Sequence, residues 1–131
     1  MELNVRLLRD KDYETIVSWW KWWKWPVLPK QSLPPTGLMV EKGDTSIVSC
    51  YIYITNSTGA LLEWVVSNPE YREKDRKQAI ELLLIAAEKM LKDQGVTYVF
   101  SIGRNKNLID THKKLGWIID SKTSTEMTKT I

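Results

Sequence analysis

Leu3, Val5 and Leu7 alternate with Asn4 and Arg6, the period of a half-buried strand. The spacing then lengthens. Tyr13, Ile16, Val17 and Trp20 recur at helical intervals behind Asp10, a suitable cap, with Asp12 and Glu14 in the first turn. Pro26, Pro29, Pro34 and Pro35 deny regular helix or central strand as far as Thr36. Residues 37–41 form a short apolar run, Gly43 and Asp44 mark a hairpin, and residues 45–55 are rich in β-branched and aromatic side chains, so two strands are predicted there. A turn at 56–59 leads to a fourth strand over 60–67. Ile80, Leu83, Leu84, Ala87, Met90 and Leu91 then fall on one stripe of a 3.6-residue repeat, predicting a long helix that ends at Gln94 and lies on a sheet.

Beyond Gly95 the pattern predicts a strand over 96–102, a break at Gly103 to Asn105, and a short helix carrying Leu108, His112 and Leu115 on one stripe with Gly116 as its stop. Residues 117–120 and 124–131 are expected as a final antiparallel pair. The predicted order is β-α-βββ-αβ-αββ. That is a mixed α/β (α+β) domain over residues 1–131, with a mostly antiparallel sheet and one right-handed parallel crossover from strand 60–67 through the long helix to strand 96–102. The turn that opens this helix offers unpaired amide N–H groups, a natural seat for an anionic ligand.

Length and composition narrow the function classes. A chain of 131 residues is long enough to bury a core and makes one domain, not two. The net charge of +3 comes from 19 Lys and Arg scattered among 16 acids, which does not form the basic block of a dedicated nucleic-acid protein but suits a small anion. One cysteine, Cys50, excludes an internal disulfide, falls in a predicted strand and reads as packing. No residues are spaced as a metal site. No secretory leader or membrane-spanning run is visible, so a cytoplasmic protein is expected. Seven tryptophans are unusual, and five of them lie between positions 19 and 25.

Two local sequences carry a resemblance to a known family. Ser67-Asn68-Pro69-Glu70-Tyr71-Arg72, between the fourth strand and the long helix, resembles the turn that precedes the cofactor-binding helix of the GNAT family of acetyl-CoA-dependent N-acetyltransferases. The family's glycine-rich segment would place glycine at 73, 75 and 77, or alanine at 77, where this chain has Glu73, Asp75 and Lys77. The second stretch, Asn105 to Trp117, resembles the family's Asn-x-x-Ala-x-x-x-Tyr-x-x-x-Gly-Phe ending, with Asn105 on the Asn, His112 on the Tyr and Leu115-Gly116-Trp117 at the close. The predicted order of elements is also that of the family. Compact sequences of this type further resemble those carried by bacteriophages, which would place the protein in a host cytoplasm.

The resemblance implies acetyl-CoA as acyl donor and transfer to a primary amine by direct attack. It implies that the main chain at Val65, Val66 and Ser67 pairs with pantetheine where strands four and five splay apart. It implies that Arg72, Glu73, Lys74, Asp75, Arg76 and Lys77 cradle the pyrophosphate, with Asn105 as a further cofactor contact. His112 would then protonate the departing thiolate, and Glu63 would draw a proton from the amine. Helix 13–20 and its continuation are expected to bury two or three indoles, leaving Trp22, Trp23 and Trp25 with Tyr53 as an aromatic wall for the acceptor or a second copy of the chain. A different class of function also fits the residues: with its glycines replaced, such a fold serves as a binding protein that engages a partner through the Trp-rich face.

Overall fold

The computed structural model describes residues 1–131. Five strands, β1 (Leu3–Leu7), β2 (Thr36–Lys42), β3 (Thr45–Ile54), β4 (Gly59–Ser67) and β5 (Tyr98–Phe100), form one sheet in the order β1-β2-β3-β4-β5. The first four pair antiparallel and β4 pairs parallel with β5, through the crossover helix α2 (Arg76–Asp93). Helices α1 (Asp12–Trp23) and α3 (Lys106–Lys114) complete the elements, with one short 3₁₀ turn at Lys30–Ser32.

The expected stripe of α2 is the one buried. Leu83, Leu84, Ala87 and Leu91 pack with Leu38, Val48, Leu62 and Val65 in a core on one sheet face, which Leu108 of α3 joins. On the other face Ile16, Trp19 and Trp20 of α1 pack against Met39, Tyr51, Trp64 and Val66. Both faces of the sheet are thus covered, and two of the clustered indoles are core residues, within the two or three expected; the helical spacing pointed to Trp20 and not to Trp19. Asp12, not Asp10, organises the start of α1: its carboxylate accepts from the Arg9 amide at 2.7 Å and from the Arg6 guanidinium at 2.7 and 3.0 Å.

Two expectations are corrected at the C-terminal side. Strand β5 spans three residues and not seven, because the Thr97 amide turns to the Thr58 carbonyl and the Ile102 amide donates to the Glu63 side chain instead of continuing the ladder. The final antiparallel pair does not form. After Trp117, which packs edge-on to the His112 ring at 4.8 Å, residues 118–131 form no helix or strand. The reason is compositional: Ser, Thr and Lys dominate this stretch, and its few apolar side chains, Ile118, Met127 and Ile131 among them, are exposed, so no face is available to hold a register.

Candidate active site

The site begins where β4 loses its partners. Beyond Leu61 the strand has no pairing with β5, and opposite β3 the register slips between Ser49 and Tyr51, so that Val66 faces Ser49 while Glu63 faces Tyr51. One extra residue is therefore inserted in β4, a β-bulge with Trp64 at φ 57°, a left-handed conformation that an indole side chain adopts only under constraint. Trp64 and Val65 have no strand partner on either side. The bulge also resets the alternation: Leu62 and Val65 pack in the core on the α2 face, while Trp64 packs on the opposite one, the face that Glu63 shares with its cross-strand partner Tyr51.

Beside this open edge lies a cavity of about 180 Å³. Val65 and Ser67 of β4, Arg76 and Ile80 of α2, Asn105 to Leu108 at the start of α3, and Trp23 and Trp25 form its walls. Four of the residues expected to hold a cofactor, Val65, Ser67, Arg76 and Asn105, are thus brought together. Val66 is buried on the α1 side, so only its main chain is available here. Asn105 caps α3, its side-chain oxygen accepting from the Leu108 amide at 2.8 Å, which leaves its amide nitrogen free. The Ser67 carbonyl accepts from the Trp23 indole N–H at 2.9 Å. Trp23 and Trp25, expected as part of an acceptor wall, thus line the same cavity as the four residues expected to hold a cofactor.

Arg76 is shared with the turn at the N-terminus of α2, where Arg72, Glu73, Lys74, Arg76 and Lys77 line a shallow polar depression. The amides of Lys77 and Gln78 have no backbone acceptor. Asp75, whose charge would oppose an anion, is turned away: Oδ1 accepts from the Tyr71 hydroxyl at 2.5 Å and Oδ2 from the Lys42 ammonium at 2.9 Å. These two donors, Tyr71 first, hold its carboxyl below the usual range, and the same contact pushes the Tyr71 hydroxyl up to about 12. The turn therefore presents four cations with Glu73 as its one unpaired carboxylate.

On the α1 face of the sheet, Glu63 is 6% exposed and Oε1 accepts from the Ile102 amide at 2.8 Å. Burial raises its pKa to about 6, against the pull of Arg104 and of the Ile102 amide. Arg104 lies over the Trp64 ring at 4.2 Å and the Trp25 ring at 5.2 Å. It pairs with Glu126. Tyr53 accepts from the Trp64 indole N–H at 3.1 Å, which places its hydroxyl on the same face, and burial raises its pKa. Trp22 stands apart, 53% exposed and packed edge-on to Trp23 at 4.8 Å.

His112 is 4% exposed and does not line the cavity. Its Nδ1 lies 2.9 Å from the Leu108 carbonyl, which can only accept, so Nδ1 carries the proton and Nε2 is a bare acceptor with no partner. Burial lowers its pKa. A neutral ring of this tautomer has no proton on Nε2 to give, so the geometry does not favour the expected general acid. Arg104, Trp64, Lys42 and Glu126 were not legible as site residues. Each acts through a partner at least 22 positions away, except for the bulge at Trp64, which a glycine there would have signalled.

No family model and no curated sequence matches the chain. Its fold, however, is that of solved acetyltransferases. The PaiA N-acetyltransferase of Thermoplasma acidophilum, solved with coenzyme A, is 20% identical with a TM-score of 0.65 over 94% of each chain. An aminoglycoside acetyltransferase from an uncultured soil sample, solved with sisomicin, is 9% identical with a TM-score of 0.71 over 98% of this chain and 97% of that one. The ribosomal-protein-S18-alanine N-acetyltransferase of Escherichia coli is 14% identical with a TM-score of 0.69 over 88% of this chain and 77% of its own. At these identities the likeness establishes the GNAT fold.

Proposed function

We propose that the chain is an acetyl-CoA-dependent N-acetyltransferase that transfers the acetyl group directly to a primary amine. The observation that carries this reading is the continuity of three features in a GNAT fold: the unpaired edge of β4, the cavity beside it, and the cationic turn at the head of α2. Pantetheine, with its two amides, suits a strand edge that lacks a neighbour. The pyrophosphate suits free helical amides flanked by Arg72, Lys74, Arg76 and Lys77. Replacement of the family's glycines leaves this seat usable because the helical amides sit at negative φ and Asp75 is held by the Lys42 ammonium, which offsets its charge, and by the Tyr71 hydroxyl. That the PaiA structure contains coenzyme A supports the same assignment.

In this reading Glu63 is the base. A carboxylate with a pKa near 6 takes a proton from an ammonium, directly or through water, and releases it again near neutrality. The neutral nitrogen then attacks the thioester carbon. As the C–N bond forms and the C–S bond breaks, the second nitrogen proton leaves with the thiolate, giving the acetamide and free coenzyme A. Trp25 and Tyr53 border the acceptor side, and His112 holds α3 against Trp117. Release of free thiol from acetyl-CoA over a panel of primary amines tests the reading. Turnover that depends on Glu63 is expected, and its absence across alkyl, aryl and amino-acid amines overturns it.

A partner-binding role rests on exposed indoles. Of the five clustered tryptophans only Trp22 is largely exposed, which leaves one ring for such a surface.

A further inference from the structure

Arg104 is the one strongly placed cation on the acceptor face that the transfer chemistry leaves without a task. Its guanidinium lies over Trp64 and Trp25, at 4.2 and 5.2 Å from the ring centroids, and its side chain is only 13% exposed. Two indoles over the guanidinium leave its N–H edge as the place where a ligand can be met, and that edge matches a carboxylate in plane. The group is also close to the proposed base. Arg104 Nη1 is 3.5 Å from the Ile102 carbonyl, and the Ile102 amide donates to Glu63 at 2.8 Å, so cation and carboxylate flank a single residue.

What meets that edge is a carboxylate from an otherwise unheld segment. The pair with Glu126 is the one hydrogen bond made by residues 118–131, which form no helix or strand. A nearly buried guanidinium whose N–H edge is left unpaired is costly, so a tethered carboxylate settles there when nothing else does. We infer that Glu126 stands in for a carboxylate of the acceptor: the substrate is an amino acid whose carboxylate pairs with Arg104 between the two indoles and whose amine reaches Glu63. This rests on the acetyltransferase reading for the fate of the amine, not for the binding of the carboxylate. Glu126 is then a competitor that the acceptor must displace.

The test is calorimetric titration of matched probes, L-lysine against cadaverine and L-phenylalanine against phenethylamine, with and without coenzyme A. The carboxylated member of a pair is expected to bind at least about tenfold tighter, the scale of one charge-assisted pair. Arg104→Gln should abolish that difference, and Arg104→Lys, which keeps the charge but not the planar fork, should retain part of it. Glu126→Gln should tighten the amino acid several-fold and leave the plain amine unchanged. Equal affinities within both pairs, or a difference that survives in a folded Arg104→Gln protein, overturn the inference. Should Arg104→Gln fail to fold, the Glu126→Gln comparison decides: no tightening overturns it. Carboxylate discrimination without any binding of coenzyme A would sink the proposed activity and leave this inference standing, and the reverse result would sink only this inference.

Discussion

Glu63 is held in a conflict that a working base requires. Its carboxylate is buried on the α1 face of the sheet yet keeps one strong donor, the Ile102 amide, and burial raises its pKa to about 6. Glu63→Gln preserves the acceptor for Ile102 and removes the charge. Turnover should fall by roughly 10²- to 10⁴-fold. The folded protein should not be destabilised at neutral pH, as melting will show. The sign follows from linkage. A carboxyl raised from 4.5 to about 6 binds its proton more tightly in the fold, so its contribution to stability is present below about 4.5 and is lost as pH rises through about 6. Activity runs the other way: the base must be ionised, so kcat/KM should drop tenfold per pH unit below about 6, and a flat profile in that range would remove Glu63 from the role.

His112 gives the opposite limb. Burial lowers its pKa, so the unfolded chain takes up a proton first, and stability contributed by the neutral ring is lost as pH falls below the ordinary histidine value of about 6.5. His112→Leu removes an unpartnered buried Nε2 at similar volume. It should change stability at pH 7 by less than about 1.5 kcal/mol, flatten the acid limb of a denaturant series, and leave turnover within a few-fold. A loss of turnover as large as that of Glu63→Gln would restore the ring to the chemistry.

At the scale of elements, the informative pair is β4 and the head of α2. Hydrophobic periodicity predicted both, and the buried stripe of α2 fell where spacing put it. The bulge was not legible, because its left-handed residue is Trp64 and not a glycine; an unbroken strand would hold Glu63 and Val65 on one face, and the structure separates them. The turn 72–77 was legible as a run of cations at a helix start, but the pairing of Asp75 was not, since Lys42 lies 33 residues from it. That contact makes a prediction. Lys42→Met should return the Asp75 charge to the turn and weaken coenzyme A several-fold, most at low salt, and the added Asp75→Asn change should restore it. Unchanged affinity in Lys42→Met would show that the phosphates sit elsewhere.

For the whole molecule, the order of strands and helices was carried by local patterns and is shared with acetyltransferases at 9 to 20% identity. The C-terminal segment was misread for the converse reason. Its polar run has no period, and its one fixed point is the pair between Glu126 and Arg104, a contact 22 residues apart that no spacing rule contains. The fold was therefore readable from local patterns, while the surroundings of Glu63 and Arg104 are built from single long-range contacts. Binding of acetyl-CoA beside β4 is the premise of the proposed activity. Thermal melting of the full chain with and without acetyl-CoA measures this most directly: at 100 times its Kd the ligand should add about 2.7 kcal/mol of stability and raise Tm by several degrees. No shift at millimolar acetyl-CoA would contradict it.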